Sequence, residues 1–101
     1  MPRKDRPHTI DGRYLVAKGI LKRCTNPELD DSVRRKAVKK LMKARMSKDQ
    51  PAVLEAKIEL GEAGPVWWND EQPDYSGQHP TDTLYSEWWH SLSENQRESG
   101  M

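Results

Sequence analysis

The chain has 101 residues, 33% of them charged and 34% hydrophobic, with a formal net charge of +1, no Phe and one Cys. A chain of this length folds around a thin core, a lone cysteine excludes an intramolecular disulfide, and no apolar run approaches the ~18 residues of a membrane span. The near-zero net charge conceals a segregation, because residues 1–50 hold 15 Lys and Arg against 6 Asp and Glu while residues 51–101 hold 2 against 10.

Such polarity points to a surface that meets a polyanion, a basic partner or the chain's own opposite half. Leu, Val and Ile together number only 16, so the 4 Trp, 3 Tyr and 4 Met are expected in the core or at an interface. The free thiol of Cys24, and an N-terminus that leads into no signal-peptide apolar region, make a cytoplasmic protein without a membrane anchor the expectation.

In chain order, residues 1–9 read as a flexible tail. Tyr14-Leu15-Val16-Ala17 and Ile20-Leu21-Lys22-Arg23-Cys24, joined by Lys18-Gly19, read as a β-hairpin that needs further structure packed against it. After Asn26-Pro27, the caps Asp30, Asp31 and Ser32 open a helix to about Met46, with Val33, Ala37, Leu41 and Ala44 on one arc and Val38 and Met42 flanking it. Pro51 opens a second helix carrying Val53, Leu54, Ala56, Ile58 and Leu60, and Gly61 or Gly64 stops it. The short connection makes the pair antiparallel.

From Gly64 to Thr81 the Gly, Pro, Asp, Asn and Gln residues around Trp67-Trp68 and Tyr75 predict an aromatic-rich loop. A short helix then starts near residues 81–83, with Trp88 as its core ring and Trp89 towards the edge, and residues 94–101 form a second flexible tail. The expected fold is therefore α+β and mainly helical, one domain over residues 10–93: a short N-terminal β-hairpin, an antiparallel helix pair, then the loop and a short C-terminal helix.

On the first helix Lys36, Lys39, Lys40 and Lys43 form a stripe suited to tracking phosphates without sequence selection, or to ordinary solvation. Glu55, Glu59 and Glu62 make an acidic stripe on the second helix, placed to pair with edge cations such as Arg34 and Arg45. Acidic neighbours turn the Trp pairs away from base stacking, and Trp67 and Trp89 are the rings expected to anchor a partner. His8, His79 and His90 lack metal-site spacing; His79 with Asp74 and Asp82 makes only a chance trio, so no metal or cofactor is expected. Ser86, Glu87 and His90 share a helix, but no oxyanion site accompanies them, and no enzymatic activity is expected.

The segments Asp11-Gly12-Arg13-Tyr14, Gly19-Ile20-Leu21-Lys22-Arg23, Thr25-Asn26-Pro27, Gly64-Pro65-Val66-Trp67-Trp68, Pro73-Asp74-Tyr75 and Thr83-Leu84-Tyr85-Ser86-Glu87-Trp88 resemble a family of small uncharacterised bacterial proteins, over roughly residues 9–92. Some relatives carry the label of a Tol biopolymer transporter. The chain departs from the family's pattern in a shorter segment between its two helices and in Lys22, where an aromatic is common. The resemblance implies no catalytic residue. The function expected is a non-enzymatic protein-interaction module with a charge-polarised surface, its partner an unidentified protein or, weakly, a second copy. The alternative is a weak, sequence-tolerant nucleic-acid binder using Lys36, Lys39, Lys40 and Lys43.

Overall fold

Lys18 and Gly19, with φ of 55° and 76°, reverse the chain between β1 (Tyr14–Ala17) and β2 (Ile20–Arg23) in the computed structural model, which describes residues 6–101. Two successive positive φ values match the right-handed twist of a tight hairpin, and glycine takes the second at no steric cost. The register sets Tyr14 opposite Arg23 and Val16 opposite Leu21, and the period of two buries these four residues on one face.

A bare two-stranded ribbon is marginal in water, and here both of its edges are covered. Along β1, Val16 N–H donates to Pro7 O at 3.0 Å and Thr9 N–H to Tyr14 O at 2.9 Å. Along β2, Leu21 N–H donates to Gln78 O at 2.9 Å and Leu21 O accepts from Gly77 N–H at 2.8 Å. Residues 7–9 are thus engaged with β1, and Arg6 Nη1 donates to Ser99 O at 2.7 Å, where a tail was expected; the rest of that expected tail, residues 1–5, lies outside the described residues.

The chain gathers into two compact units, one formed by the described residues up to Cys24 with Pro73–Met101, the other by Thr25–Gln72. In the first, Tyr14, Tyr75 and Tyr85 form a ring cluster with centroids 5.5 to 6.5 Å apart beside the hairpin's buried face. A 3₁₀ turn at Pro80–Asp82 leads to α3 (Ser86–Ser91), and α4 (Glu94–Ser99) follows. The expected C-terminal tail is therefore helical, opened by a capping box in which Ser93 and Gln96 satisfy each other's backbone N–H. Beyond it, Gly19 N–H donates to Gly100 O at 2.8 Å.

The ring order within α3 is the reverse of that expected: Trp89 is 5% exposed, whereas Trp88 is only half-buried. The helix begins at Ser86, so Leu84 is not one helical turn before Trp88. The apolar phase runs from buried Tyr85 to Trp89, whose N–H donates to Tyr85 O at 2.9 Å.

The second unit is the expected helical hairpin. Asp30 caps α1 (Asp31–Met46) through Ser32 N–H, Asp49 caps α2 (Gln50–Leu60) through Ala52 N–H, and Gly61 ends α2 in the left-handed region at φ 81°. The two helices meet at Ala37, Leu41, Ala56 and Leu60, with Leu29 and Val53 packed alongside. Two of these four are alanines, so the helices approach closely and bury little area. A Cβ at Gly61 would lie 3.0 Å from both Asn26 Cβ and Trp67 Cδ1, so the cap also fixes the start and end of this unit.

Candidate interaction surface

The opposite charges of the two halves of the sequence fold into the same units. Residues 25–72 contain nine cations and nine anions, and the other unit contains eight and seven. Neither unit is strongly polarised in sum. What remains segregated is local: α1 carries seven Lys and Arg and a single acid, Asp31.

Two parallel rows lie on the exposed side of α1. Arg34, Val38, Met42 and Met46 follow one another at i, i+4 spacing, and Arg35, Lys39 and Lys43 form the adjacent row. Val38, Met42 and Met46 are 39%, 59% and 85% exposed. The apolar arc is thus narrower than the sequence suggested, with Ala37, Leu41 and Ala44 buried and Val33 and Val38 left outside.

Asp31 bonds the Arg34 guanidinium and takes Arg35 Nε on its carbonyl oxygen at 3.3 Å. Among the described residues, Lys36, Lys39 and Lys43 have no carboxylate within 4 Å. Lys40, the fourth of the stripe, reaches Glu59 of α2 at 3.1 Å, so an edge cation pairs with the acidic stripe, though it is neither Arg34 nor Arg45. A groove of about 610 Å³ runs beside that pair, and Glu55, Glu59 and Asp49 share its walls with Lys40 and Lys43. These carboxylates break the positive field along this side of the lysine stripe.

Of the two rings expected to anchor a partner, Trp89 is corrected to a core residue, set edge-on to the His79 ring at 5.7 Å. Trp67 is half-buried and packs edge-on against buried Trp68 at 5.1 Å, while Trp68 Nε1 donates to Gln72 O at 2.9 Å. A second hollow, about 410 Å³, lies beside Trp89 with His79, Glu94, Arg97, Glu98 and Met101.

His90 Nδ1 lies 2.9 Å from Ser86 O, a carbonyl that only accepts, so Nδ1 carries the proton and is no base for the Ser86 hydroxyl 3.5 Å away. His79 Nδ1 accepts from Thr81 N–H at 3.2 Å, which caps the 3₁₀ turn. Asp74 is engaged by Ser76 and Arg23, and no three His, Cys, Asp or Glu side chains are grouped for a metal among the described residues.

Polar groups bridge the first unit instead. Tyr14 Oη accepts from Tyr75 N–H at 2.9 Å, Arg23 Nε lies 3.8 Å from Asp74, and Asp11 Oδ1 accepts from the Thr9 hydroxyl at 2.6 Å. No helix is long and apolar enough to cross a membrane among the described residues. No family model, curated protein or solved structure matches the chain.

Proposed function

We propose that this protein is a non-enzymatic interaction module of the cytoplasm that docks another protein through the exposed side of α1. The observation that carries this reading is the Val38-Met42-Met46 row, left in water beside a row of cations. A phosphate backbone uses cations and has no use for an apolar row, whereas protein interfaces combine an apolar centre with a charged rim. Nucleic-acid binding through Lys36, Lys39, Lys40 and Lys43 is the second reading, favoured by three lysines with no carboxylate within 4 Å among the described residues and weakened by the Lys40–Glu59 pair.

The test passes cell lysate over the immobilised chain and its Met42→Glu variant, with and without nuclease. Protein retained after nuclease by the wild type and lost from the variant supports docking at α1. Retention that disappears with nuclease overturns it in favour of nucleic acid.

A further inference from the structure

We propose that α1 receives an acidic amphipathic helix of a partner protein, seated on Val38, Met42 and Met46 with its carboxylates over Lys39 and Lys43. This rests on the interaction reading above and narrows it to the partner's chemistry. The apolar row is about 12 Å long at 1.5 Å per residue, two helical turns, which fits the i, i+4 row of a facing helix. Methionine side chains, unbranched and polarisable, adapt to such a row without a preformed pocket.

The row beside it sets the sign of the partner. Docking on Met42 draws Lys39 and Lys43 towards a low-dielectric boundary, and neither has a carboxylate within 4 Å among the described residues. A partner that supplies none leaves both ammonium groups desolvated and unpaired. Arg34 already has Asp31, so the demand for acid lies at the middle and C-terminal turns of α1.

Other occupants fit less well. A second copy docked helix to helix sets seven cations and one acid against the same set. A bilayer surface calls for a broader apolar face with Leu or aromatic side chains, and this row offers one Val and two Met. A nucleic acid leaves the methionines in water.

The probe is a synthetic acidic helix of about five turns, with Leu at i, i+3, i+4 and i+7 and Glu on both flanks. Its Lys-for-Glu twin, phosphatidylglycerol vesicles and a single-stranded oligonucleotide serve as comparisons, each titrated against the full chain. The acidic peptide is expected to bind with Kd on the order of 10–100 µM and to weaken about tenfold or more in Met42→Glu and in Lys39→Glu. Circular dichroism should be unchanged in both variants, and Lys18→Glu should bind as the wild type does.

No binding of the acidic peptide, undiminished binding by Met42→Glu, or equal binding of the Lys twin overturns the proposal. Preference for vesicles or the oligonucleotide also overturns it. Nuclease-resistant lysate capture that depends on Met42 is read separately, so failure of the partner chemistry is distinguishable from failure of the interaction reading.

Discussion

The Tyr85 hydroxyl donates to Asp11 Oδ2 at 2.7 Å, tying positions 74 residues apart within the hairpin unit. Asp11 Oδ1 also accepts from the Thr9 hydroxyl at 2.6 Å and from Arg13 N–H at 3.1 Å, so one carboxylate holds the approach to β1 and the ring that covers it. Tyr85→Phe removes a hydrogen bond to a charged acceptor and is expected to cost about 1–2 kcal/mol, since water reaches Asp11 and compensates in part. Urea melts measure it, and a midpoint equal to that of the wild type would refute a structural role for the phenol.

The same groups set a pH window. Burial pushes the Asp11 carboxyl up, but hydrogen bonds from Thr9, Tyr85 and Arg13 outweigh it and hold it below its usual value. Burial likewise pushes Asp74 up, and hydrogen bonds from Ser76 with the Arg23 charge bring it down overall. Both folded values lie below the unfolded ones, so this stabilisation is present above about pH 4 and is lost as pH falls through the folded values. Burial, with the Asp74 charge, pushes Tyr14 up to about 12, and burial with the bond to Asp11 pushes Tyr85 up. Their contribution is complete below about pH 10 and is lost as pH rises through the folded values. Thermal melts across pH should show a plateau with two falling limbs, the alkaline limb shallower in Tyr14→Phe.

The tryptophans of α3 separate in stability. Trp89→Ala is expected to cost about 3–5 kcal/mol, as for a truncated buried aromatic, and Trp88→Ala about 1 kcal/mol. Denaturant melts of the two single variants decide, and equal losses would contradict the burial of Trp89.

A Cβ at Gly100 would lie 3.1 Å from both Pro7 Cγ and Val16 Cγ1. Gly100→Val is therefore expected to cost about 1–3 kcal/mol through overpacking. Truncation after Ser93 should cost more, since it removes α4 and leaves Gly19 N–H without its acceptor. Limited proteolysis should cut the truncated chain earlier within the hairpin, and identical digestion patterns would show that the segment is dispensable.

The hairpin and the helix pair could be read from the sequence because each has a local cause: Lys18-Gly19 for the turn, Asp30 and Pro51 for the helix starts, Gly61 for the stop. The α3 phase could not, because it depends on where the turn after Pro80 hands over to the helix. The signal for α4 was present in Ser93-Glu94-Asn95-Gln96, a capping-box pattern. It was hidden by the absence of apolar periodicity in a helix that buries no side chain. The lysine stripe is exposed, as its place on the helix implies, but Val38 and Met42, expected to flank a core arc, stand in water with Met46. Three small or medium side chains, Ala37, Leu41 and Ala44, suffice to fill that arc. Charge segregation along the sequence likewise dissolved, because each unit draws on both halves.

The hairpin unit is interrupted by 48 residues, Thr25–Gln72, that pack among themselves. Ribosomes make the chain from its N-terminus, so the hairpin leaves the exit tunnel well before Tyr75, Tyr85 and Trp89 exist. The α1–α2 segment holds both helix caps, Asp30 and Asp49, and the shared contact of Ala37, Leu41, Ala56 and Leu60 within its own stretch, and can acquire structure first. If it does so, it draws Cys24 and Pro73 together and shortens the effective closure, at a saving that grows only logarithmically with the length bypassed. The surface that presents Met42 would then be formed on the nascent chain before the tyrosine cluster closes.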